Sequence, residues 1–124
     1  MPHSILIVDD STVIRRSLRS YIEQNANWHV CGEAENGKIA VERVRELRPD
    51  LVILDLQMPV MGGLEAARQI SRLAPNTVML MFTMYSSEQL VKDAQAAGIK
   101  DVVSKSNGGA EHLLASLRSM SVAA

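Results

Sequence analysis

The stretch Ile5-Leu6-Ile7-Val8-Asp9-Asp10-Ser11 decides the fold, because four consecutive apolar residues end in two acidic residues and a helix-capping serine. Short apolar runs are typical of strands buried on both faces of a parallel sheet. The pattern returns three times, since other apolar runs end near Asp55, Thr83 and Lys105. Each run therefore predicts a buried strand with a polar residue at its carboxyl end. The other runs are Leu51-Val52-Ile53-Leu54, Val78-Met79-Leu80-Met81-Phe82 and Val102-Val103.

Segments with helical periodicity lie between these strands. Residues 11–24 repeat an apolar residue every fourth position behind Ser11, which is a suitable N-cap. Residues 28–33 predict a further strand, and Asn36-Gly37 predicts a turn before the next helix. Five strand–helix repeats with short connections favour an α/β fold in which helices cover both faces of a parallel five-stranded sheet. The later helices are predicted around residues 39–47, 64–74, 87–98 and 109–117.

Length, composition and charge limit the possible functions. A chain of 124 residues has the length of one ordinary domain, so we expect a single domain over residues 1–124. The net charge of -1 offers no general attraction to nucleic acid or to an anionic membrane. The apolar runs are much shorter than the roughly 20 residues of a membrane helix, and Cys31 has no second cysteine to pair with. We therefore expect a cytoplasmic protein with a buried thiol, no membrane contact and no direct binding of nucleic acid.

Five polar residues are expected to form one site. Asp9, Asp10, Asp55, Thr83 and Lys105 follow or end the predicted strands, and the carboxyl ends of parallel strands meet at one edge of a sheet. Three crowded carboxylates repel one another unless a divalent cation lies among them, and Mg²⁺ prefers carboxylate and phosphate oxygens. An ammonium and a hydroxyl group suit the oxygens of a phosphoryl group. The residues therefore favour phosphoryl chemistry on a carboxylate.

The order of these motifs resembles the receiver domain of two-component response regulators over essentially the whole chain. The matching pieces are residues 8–11, residues 55–63, Thr83 and Lys105. The resemblance implies a flavodoxin-like (βα)5 three-layer sandwich with strand order 2-1-3-4-5. It also implies that Asp55 accepts a phosphoryl group from a sensor histidine kinase or a phosphotransfer protein. Such a protein is a signalling phosphoacceptor and not an enzyme, although it has intrinsic self-phosphorylation and autodephosphorylation chemistry.

The resemblance assigns a role to each site residue. It implies that Mg²⁺, or another divalent cation, is bound by the carboxylates of Asp10 and Asp55 and by the backbone carbonyl of Gln57. Asp9 is expected close by, partly through water. Lys105 and Thr83 are expected to contact phosphoryl oxygens.

The chain departs from the family pattern near the end of strand five. The family has an aromatic residue there that responds to the strand-four hydroxyl, and the matching position, two before Lys105, is Val103. Valine cannot make that rotation. We therefore expect that the conformational response to phosphorylation either occurs in the loop at Tyr85 or is small. Ser106 replaces the proline found in many relatives. Met84 is bulkier than the alanine or glycine common at its position, which predicts slowed dephosphorylation.

Two surfaces are expected to meet partners. The strip from Ser11 to Arg19 and the loop after Lys105 match the surface that receivers offer to a kinase, where Arg15, Arg16 and Arg19 are either contact residues or a solvated face. The family's output surface, which serves an output domain or a homodimer, is formed by helix 4, strand 5 and helix 5. The pair Lys105-Ser106, without an aromatic residue or a proline, resembles receivers that precede helix-turn-helix outputs. Both a stand-alone receiver and part of a longer regulator therefore fit. The residues expected to be exposed on the output surface are Lys92, Gln95, Val103, Glu111 and Arg118.

Three other functions are compatible with parts of the pattern. A phosphohydrolase with an aspartyl-phosphate intermediate usually carries a second acid two residues after the nucleophile, where this chain has Gln57. A flavin or nucleotide binder would need a phosphate-binding loop after strand one, where Asp9 and Asp10 would repel phosphate. A receiver that works without phosphorylation is disfavoured because every acidic, hydroxyl and lysine position is kept.

Overall fold

The computed structural model describes the backbone of residues 3–106 and 108–123 and the side chains of residues 3–106 and 108–119. In these residues, five parallel strands form one sheet in the order β2-β1-β3-β4-β5, which confirms the predicted flavodoxin-like topology. The predicted domain limits, residues 1 and 124, lie outside the described residues. The strands are β1 (His3–Val8), β2 (Trp28–Ala34), β3 (Leu51–Leu54), β4 (Val78–Thr83) and β5 (Asp101–Ser104).

A helix follows each strand, and its first turn is fixed by local chemistry. The Ser11 side chain accepts a hydrogen bond from the Ile14 N–H, as the sequence predicts for an N-cap. The prediction of a turn at Asn36-Gly37 was wrong, because Asn36 is itself an N-cap and Gly37 is the first helical residue. The helices are α1 (Thr12–Asn25), α2 (Gly37–Leu47), α3 (Gly63–Leu73), α4 (Glu88–Ala96) and α5 (Gly109–Ala123).

The strand residues alternate between two hydrophobic cores. Leu6 and Val8 of β1 pack on the face covered by α2, α3 and α4, whereas Ile5 and Ile7 pack on the face covered by α1 and α5. Successive side chains of a strand point to opposite faces, so a strand buried on both faces reads as a continuous apolar run. Burial on both faces fixes the position of the central strands. The polar residues that follow these strands are therefore held at the sheet's carboxyl edge.

The chain's single tryptophan and single cysteine both lie away from that edge. Trp28 begins β2, is buried, and donates from Nε1 to the carbonyl of Leu117 over 3.1 Å. Cys31 is half-buried and not fully buried as predicted, and its Sγ lies 3.4 Å from the Ile5 carbonyl. Burial raises the pKa of this thiol, which disfavours the reactive thiolate. None of the described helices has the length and apolar character required to cross a bilayer.

Candidate functional site

The structure brings the five predicted residues to one edge of the sheet. Asp9 and Asp10 follow β1, Asp55 follows β3, and Lys105 follows β5. Thr83 is the last residue of β4. Because the four strands are parallel neighbours, their carboxyl ends lie side by side. The backbone N–H of Lys105 donates to the Thr83 carbonyl over 2.8 Å, which joins the ends of β4 and β5.

Three carboxylates form the centre of the site. One oxygen from each of Asp9, Asp10 and Asp55 lies within 4.8 Å of the other two. Asp9 and Asp55 are buried, whereas Asp10 is exposed. Asp9 is held firmly, since its N–H donates to the Ala34 carbonyl over 3.1 Å and its Oδ1 accepts from the Ser11 N–H over 2.9 Å. The acids therefore have unequal environments although they share one site.

Lys105 supplies a positive charge directly to this group. Its Nζ donates to Asp9 Oδ2 over 2.6 Å and lies 3.4 Å from Asp55 Oδ1. The lysine side chain is only 8% exposed, so the pair with Asp9 is largely shielded from solvent. One ammonium group contacts two of the three carboxylates, so the acidic group keeps an excess of negative charge.

Asp55 combines burial with one oxygen that has no partner among the described residues. Its Oδ1 accepts a hydrogen bond from the Leu56 N–H over 2.9 Å and faces Lys105, whereas Oδ2 makes no hydrogen bond with a described residue. Burial raises the pKa of Asp55 above its ordinary value, and the nearby charge of Asp9 raises it further. Lys105 and the Leu56 N–H oppose this rise without cancelling it. Ionised Asp55 is therefore an unfavourably placed anion that a cation would stabilise.

Thr83 links the site to the loop after β4. The residue is fully buried, and its Oγ1 accepts a hydrogen bond from the Tyr85 N–H over 3.1 Å. Its hydroxyl proton has no acceptor among the described residues. Tyr85 and Met84 are exposed, at 55% and 66%. Any rotation of the threonine hydroxyl therefore acts first on the backbone of this solvent-facing loop.

Close backbone contacts shape the loop that carries Asp55. The Gly63 N–H donates to the Leu56 carbonyl over 2.8 Å, and a Cβ at Gly63 would lie 2.1 Å from the Asp55 carbonyl oxygen. The Gly37 N–H donates to the Met61 carbonyl over 2.8 Å, so the start of α2 lies directly against the loop. Glycine is required at both positions because no side chain fits there.

The prediction that Val103 replaces the responding aromatic residue was wrong, as was its expected exposure. Val103 is fully buried beside Phe82 on the face covered by α1 and α5. In the β4–β5 register Val102 pairs with Met81, so Val102 lies on the face shared by Met81 and Thr83. The half-buried Val102 is therefore the strand-five residue on the side of the threonine.

Arg15 and Glu33 form a contact to the site that sequence reasoning missed. The sequence predicts that Arg15 is a kinase contact or a solvated residue, but its side chain is only 14% exposed and pairs with Glu33 over 2.9 Å. Its Nη1 donates to the backbone carbonyl of Asp9 over 2.7 Å. The available signal was positional, since Arg15 lies one helical turn after Ser11 and Glu33 lies near the carboxyl end of the strand beside β1. Arg16 is exposed, as a contact residue would be.

The donor set fits a hard divalent cation. The acidic group of Asp9, Asp10 and Asp55 offers oxygen atoms only, and such cations prefer oxygen ligands. Asp10 makes no hydrogen bond or ion pair with a described residue, and Asp55 Oδ2 is similarly free. The site therefore has carboxylate oxygens available for a cation such as Mg²⁺.

Comparison with known proteins gives one matching family model. The family model of the response regulator receiver domain matches residues 5–118. Chemotaxis protein CheY of Thermotoga maritima is 38% identical over 105 residues, which cover 85% of this chain and 87% of that protein. Transcriptional regulatory protein YdfI of Bacillus subtilis is 41% identical over 103 residues, which cover 83% of this chain but only 48% of YdfI.

A solved structure adds a likeness across the full length. A chain of the CheX–CheY–BeF3–Mg²⁺ complex from Borrelia burgdorferi has a TM-score of 0.87 and 30% identity, covering 100% of this chain and 91% of that chain. The chain thus spans most of CheY and about half the length of YdfI.

Proposed function

Because this chain belongs to the response regulator receiver domain family, we propose that Asp55 is the residue that accepts its phosphoryl group. The chain is a phosphoacceptor receiver of two-component signalling, as the matched family and relatives indicate. Asp55 is favoured by one observation above all. It is a buried carboxylate with a free oxygen, Oδ2, and it lies beside both an ammonium group and two further acids.

The proposed step is a phosphoryl transfer to Asp55 Oδ2. A bond forms between Oδ2 and phosphorus while the bond from phosphorus to the donor nitrogen of a phosphohistidine breaks, and the electron pair leaves with the imidazole. Repulsion between two anions opposes this approach. Lys105, 3.4 Å from Asp55 Oδ1, lies close enough to offset part of it and to contact a phosphoryl oxygen. The same site would react with small acyl phosphates and would later release phosphate to water.

The residues proposed to hold Mg²⁺ are Asp10, Asp55 and the backbone carbonyl of Gln57, with Asp9 nearby and partly linked through water. Mg²⁺ would supply the positive charge that neutralises the phosphoryl oxygens in the transition state. The exposed Asp10 carboxylate supports this assignment. The relative from Borrelia burgdorferi is described in complex with BeF3 and Mg²⁺.

Thr83 is proposed to donate its hydroxyl proton to a phosphoryl oxygen. Because its Oγ1 now accepts from the Tyr85 N–H, a hydroxyl that rotates towards the phosphoryl group weakens that bond. The conformational response would then begin in the loop at Met84 and Tyr85, which is exposed and meets little packing resistance. This assignment replaces the aromatic rotation seen in the family.

The proposed partners are a sensor histidine kinase or a phosphotransfer protein on the input side and an output domain or a second copy on the other. Exposed Arg16 on α1 and Ser106 after β5 border the input surface. The output surface is proposed to be formed by α4, β5 and α5, where the predicted exposure is confirmed for Lys92, Gln95, Glu111 and Arg118. The single domain over residues 1–124 and the cytoplasmic location stay predictions.

Intact-mass measurement tests the proposed acceptor. The chain is incubated with a small acyl phosphate and MgCl₂, beside an Asp55→Ala variant and a sample containing EDTA. We expect a gain of one phosphoryl group in the parent chain with Mg²⁺ and none in the other two samples. Phosphorylation that persists in Asp55→Ala would show that another residue is the acceptor, and phosphorylation that persists in EDTA would contradict the cation requirement.

A further inference from the structure

The orientation of Asp10 depends on its backbone. Its carboxylate is exposed and makes no hydrogen bond or ion pair with a described residue, in contrast to Asp9 and Asp55. A side chain without contacts is positioned only by the peptide units on either side of it. The peptide bond that precedes Asp10 carries the carbonyl group of Asp9, so whatever holds that carbonyl also sets the direction of Asp10.

Arg15 holds that carbonyl. Its Nη1 donates to the Asp9 carbonyl oxygen over 2.7 Å, and its Nε donates to Glu33 Oε1 over 2.9 Å. Glu33 is itself fixed from the other side, because its Oε2 accepts from Arg19 Nη1 over 2.9 Å. The guanidinium group of Arg15 therefore spans from a braced carboxylate on β2 to the loop that carries Asp10. Its planar fork allows both bonds at once, which a lysine ammonium on a flexible stem does not reproduce.

We propose that Arg15, braced by Glu33, is a positioning residue that orients Asp10 for cation binding. The inference rests on the proposed function, because it assumes that Asp10 is a ligand of the Mg²⁺ that assists phosphorylation. Groups that orient metal ligands without touching the metal typically change metal affinity by about 10- to 100-fold when they are removed. In this proposal Arg15 is such a group, and Asp10 is the metal ligand that it orients.

The direction in which Mg²⁺ affinity changes when Arg15 is replaced distinguishes a positioning role from a purely electrostatic one. Arg15 is a cation near an acidic cation site, so the loss of its charge alone would strengthen Mg²⁺ binding. The loss of a positioning contact would instead weaken it. Arg19 provides a matched control, because it lies one turn further along α1 and pairs with the same Glu33 but makes no bond to the Asp9 carbonyl.

The experiment compares Arg15→Met, Arg15→Lys and Arg19→Met with the parent chain during titration with MgCl₂. Binding is followed by the Mg²⁺-dependent increase in the urea midpoint of Trp28 fluorescence, which reports global unfolding because Trp28 is buried away from the site. The rate of phosphoryl gain by intact mass is measured at each Mg²⁺ concentration as a second readout. Arg15→Lys keeps the charge, and so it remains informative if Arg15→Met does not fold.

We expect the half-saturating Mg²⁺ concentration to rise about 10-fold in Arg15→Met and to rise in Arg15→Lys as well. Phosphorylation at saturating Mg²⁺ should stay close to the parent rate. Arg19→Met should change the half-saturating concentration less than about twofold, because it leaves the Asp9 carbonyl contact intact.

Unchanged or tighter Mg²⁺ binding in Arg15→Met would overturn the inference, and so would an equal shift in Arg19→Met. If only the charge of Arg15 mattered, Arg15→Lys would bind Mg²⁺ like the parent chain. That result would also overturn the inference. A parent chain that neither binds Mg²⁺ nor gains a phosphoryl group would instead reject the proposed function itself. The two failures are therefore distinguishable.

Discussion

Replacing Asp55 by asparagine should stabilise the protein in the absence of divalent cations. The substitution keeps the shape of the side chain and an Oδ1 acceptor for the Leu56 N–H, which lies 2.9 Å away. It removes a buried negative charge whose pKa is raised by burial and by Asp9. The variant therefore loses a source of repulsion and retains its local hydrogen bond.

The size of the effect follows from the distances in the site. At an effective dielectric constant of about 20, charges separated by the 4.8 Å limit of the acidic group repel by about 3.5 kcal/mol. Asp55 has two such acidic neighbours, and one ammonium at 3.4 Å attracts it by about 5 kcal/mol at the same dielectric constant. The net repulsion is about 2 kcal/mol, and the exposure of Asp10 reduces its share. We expect Asp55→Asn to raise the free energy of unfolding by about 1–2 kcal/mol.

Urea unfolding followed by Trp28 fluorescence in EDTA measures this difference. Asp101→Asn is a matched control, because Asp101 Oδ1 also accepts from the next N–H over 2.9 Å, here that of Val102, but lies outside the acidic group. The control should change the free energy of unfolding by less than about 0.5 kcal/mol. Adding Mg²⁺ should stabilise the parent chain more than Asp55→Asn, which reduces the difference between them.

The effect should also depend on pH with a defined sign. An acid whose pKa is raised in the folded state destabilises that state when ionised, so its penalty is present above the folded pKa and disappears below the ordinary value. The advantage of Asp55→Asn should therefore be full above the raised pKa of the folded state and vanish as the pH falls through that pKa and below the ordinary aspartate value. A variant that is less stable than the parent chain in EDTA at neutral pH would refute this reasoning.

Three further substitutions test other contacts of the site. Gly63→Ala places a Cβ 2.1 Å from the Asp55 carbonyl and should cost about 1–3 kcal/mol of stability while slowing phosphoryl gain, measured by urea unfolding and intact mass; unchanged values would mean that the loop adapts freely. Lys105→Met removes the partner of buried Asp9 and should cost about 3 kcal/mol in EDTA with partial recovery in Mg²⁺, whereas a stabilised variant would show that the pair is unfavourable. Met84→Ala should shorten the half-life of the acyl phosphate about threefold, equivalent to roughly 0.7 kcal/mol, if the exposed methionine slows access of water; an unchanged half-life would contradict that role.

The main features of the fold and the site were predictable because each depends on a local signal. Continuous apolar runs identify strands buried on both faces, and the length of the intervening helices requires parallel neighbours. Parallel strands end at one edge of a sheet, so the sequence alone predicts that Asp9, Asp55 and Lys105 meet. The structure confirms that they meet, with Lys105 bonded to Asp9 and facing Asp55.

The remaining features depend on tertiary geometry that the sequence does not express. Val102 and Val103 are identical residues, and only the register with β4 decides which one lies on the face of Thr83. Arg15 and Glu33 are separated by 18 positions, and their ion pair depends on how α1 crosses β2. Periodicity identifies the apolar face of a helix, but it leaves the partners of the long polar side chains undetermined.

Tertiary geometry also makes the three acids differ in how many of their oxygens are available for new bonds, although their sequence context is similar. Asp9 already has a protein donor on each of its carboxylate oxygens and on its backbone carbonyl. Asp55 is buried with one oxygen committed and the other free, which suits a group that must form a new bond. Asp10 is exposed and makes no hydrogen bond or ion pair with a described residue, so it can exchange water for a cation at little cost. Neutralising Asp9 would leave Lys105, Ser11 and Arg15 to be rearranged, whereas neutralising Asp55 removes repulsion and disturbs little else. For this reason the stability of the cation-free protein should distinguish these acids even before any phosphoryl donor is added.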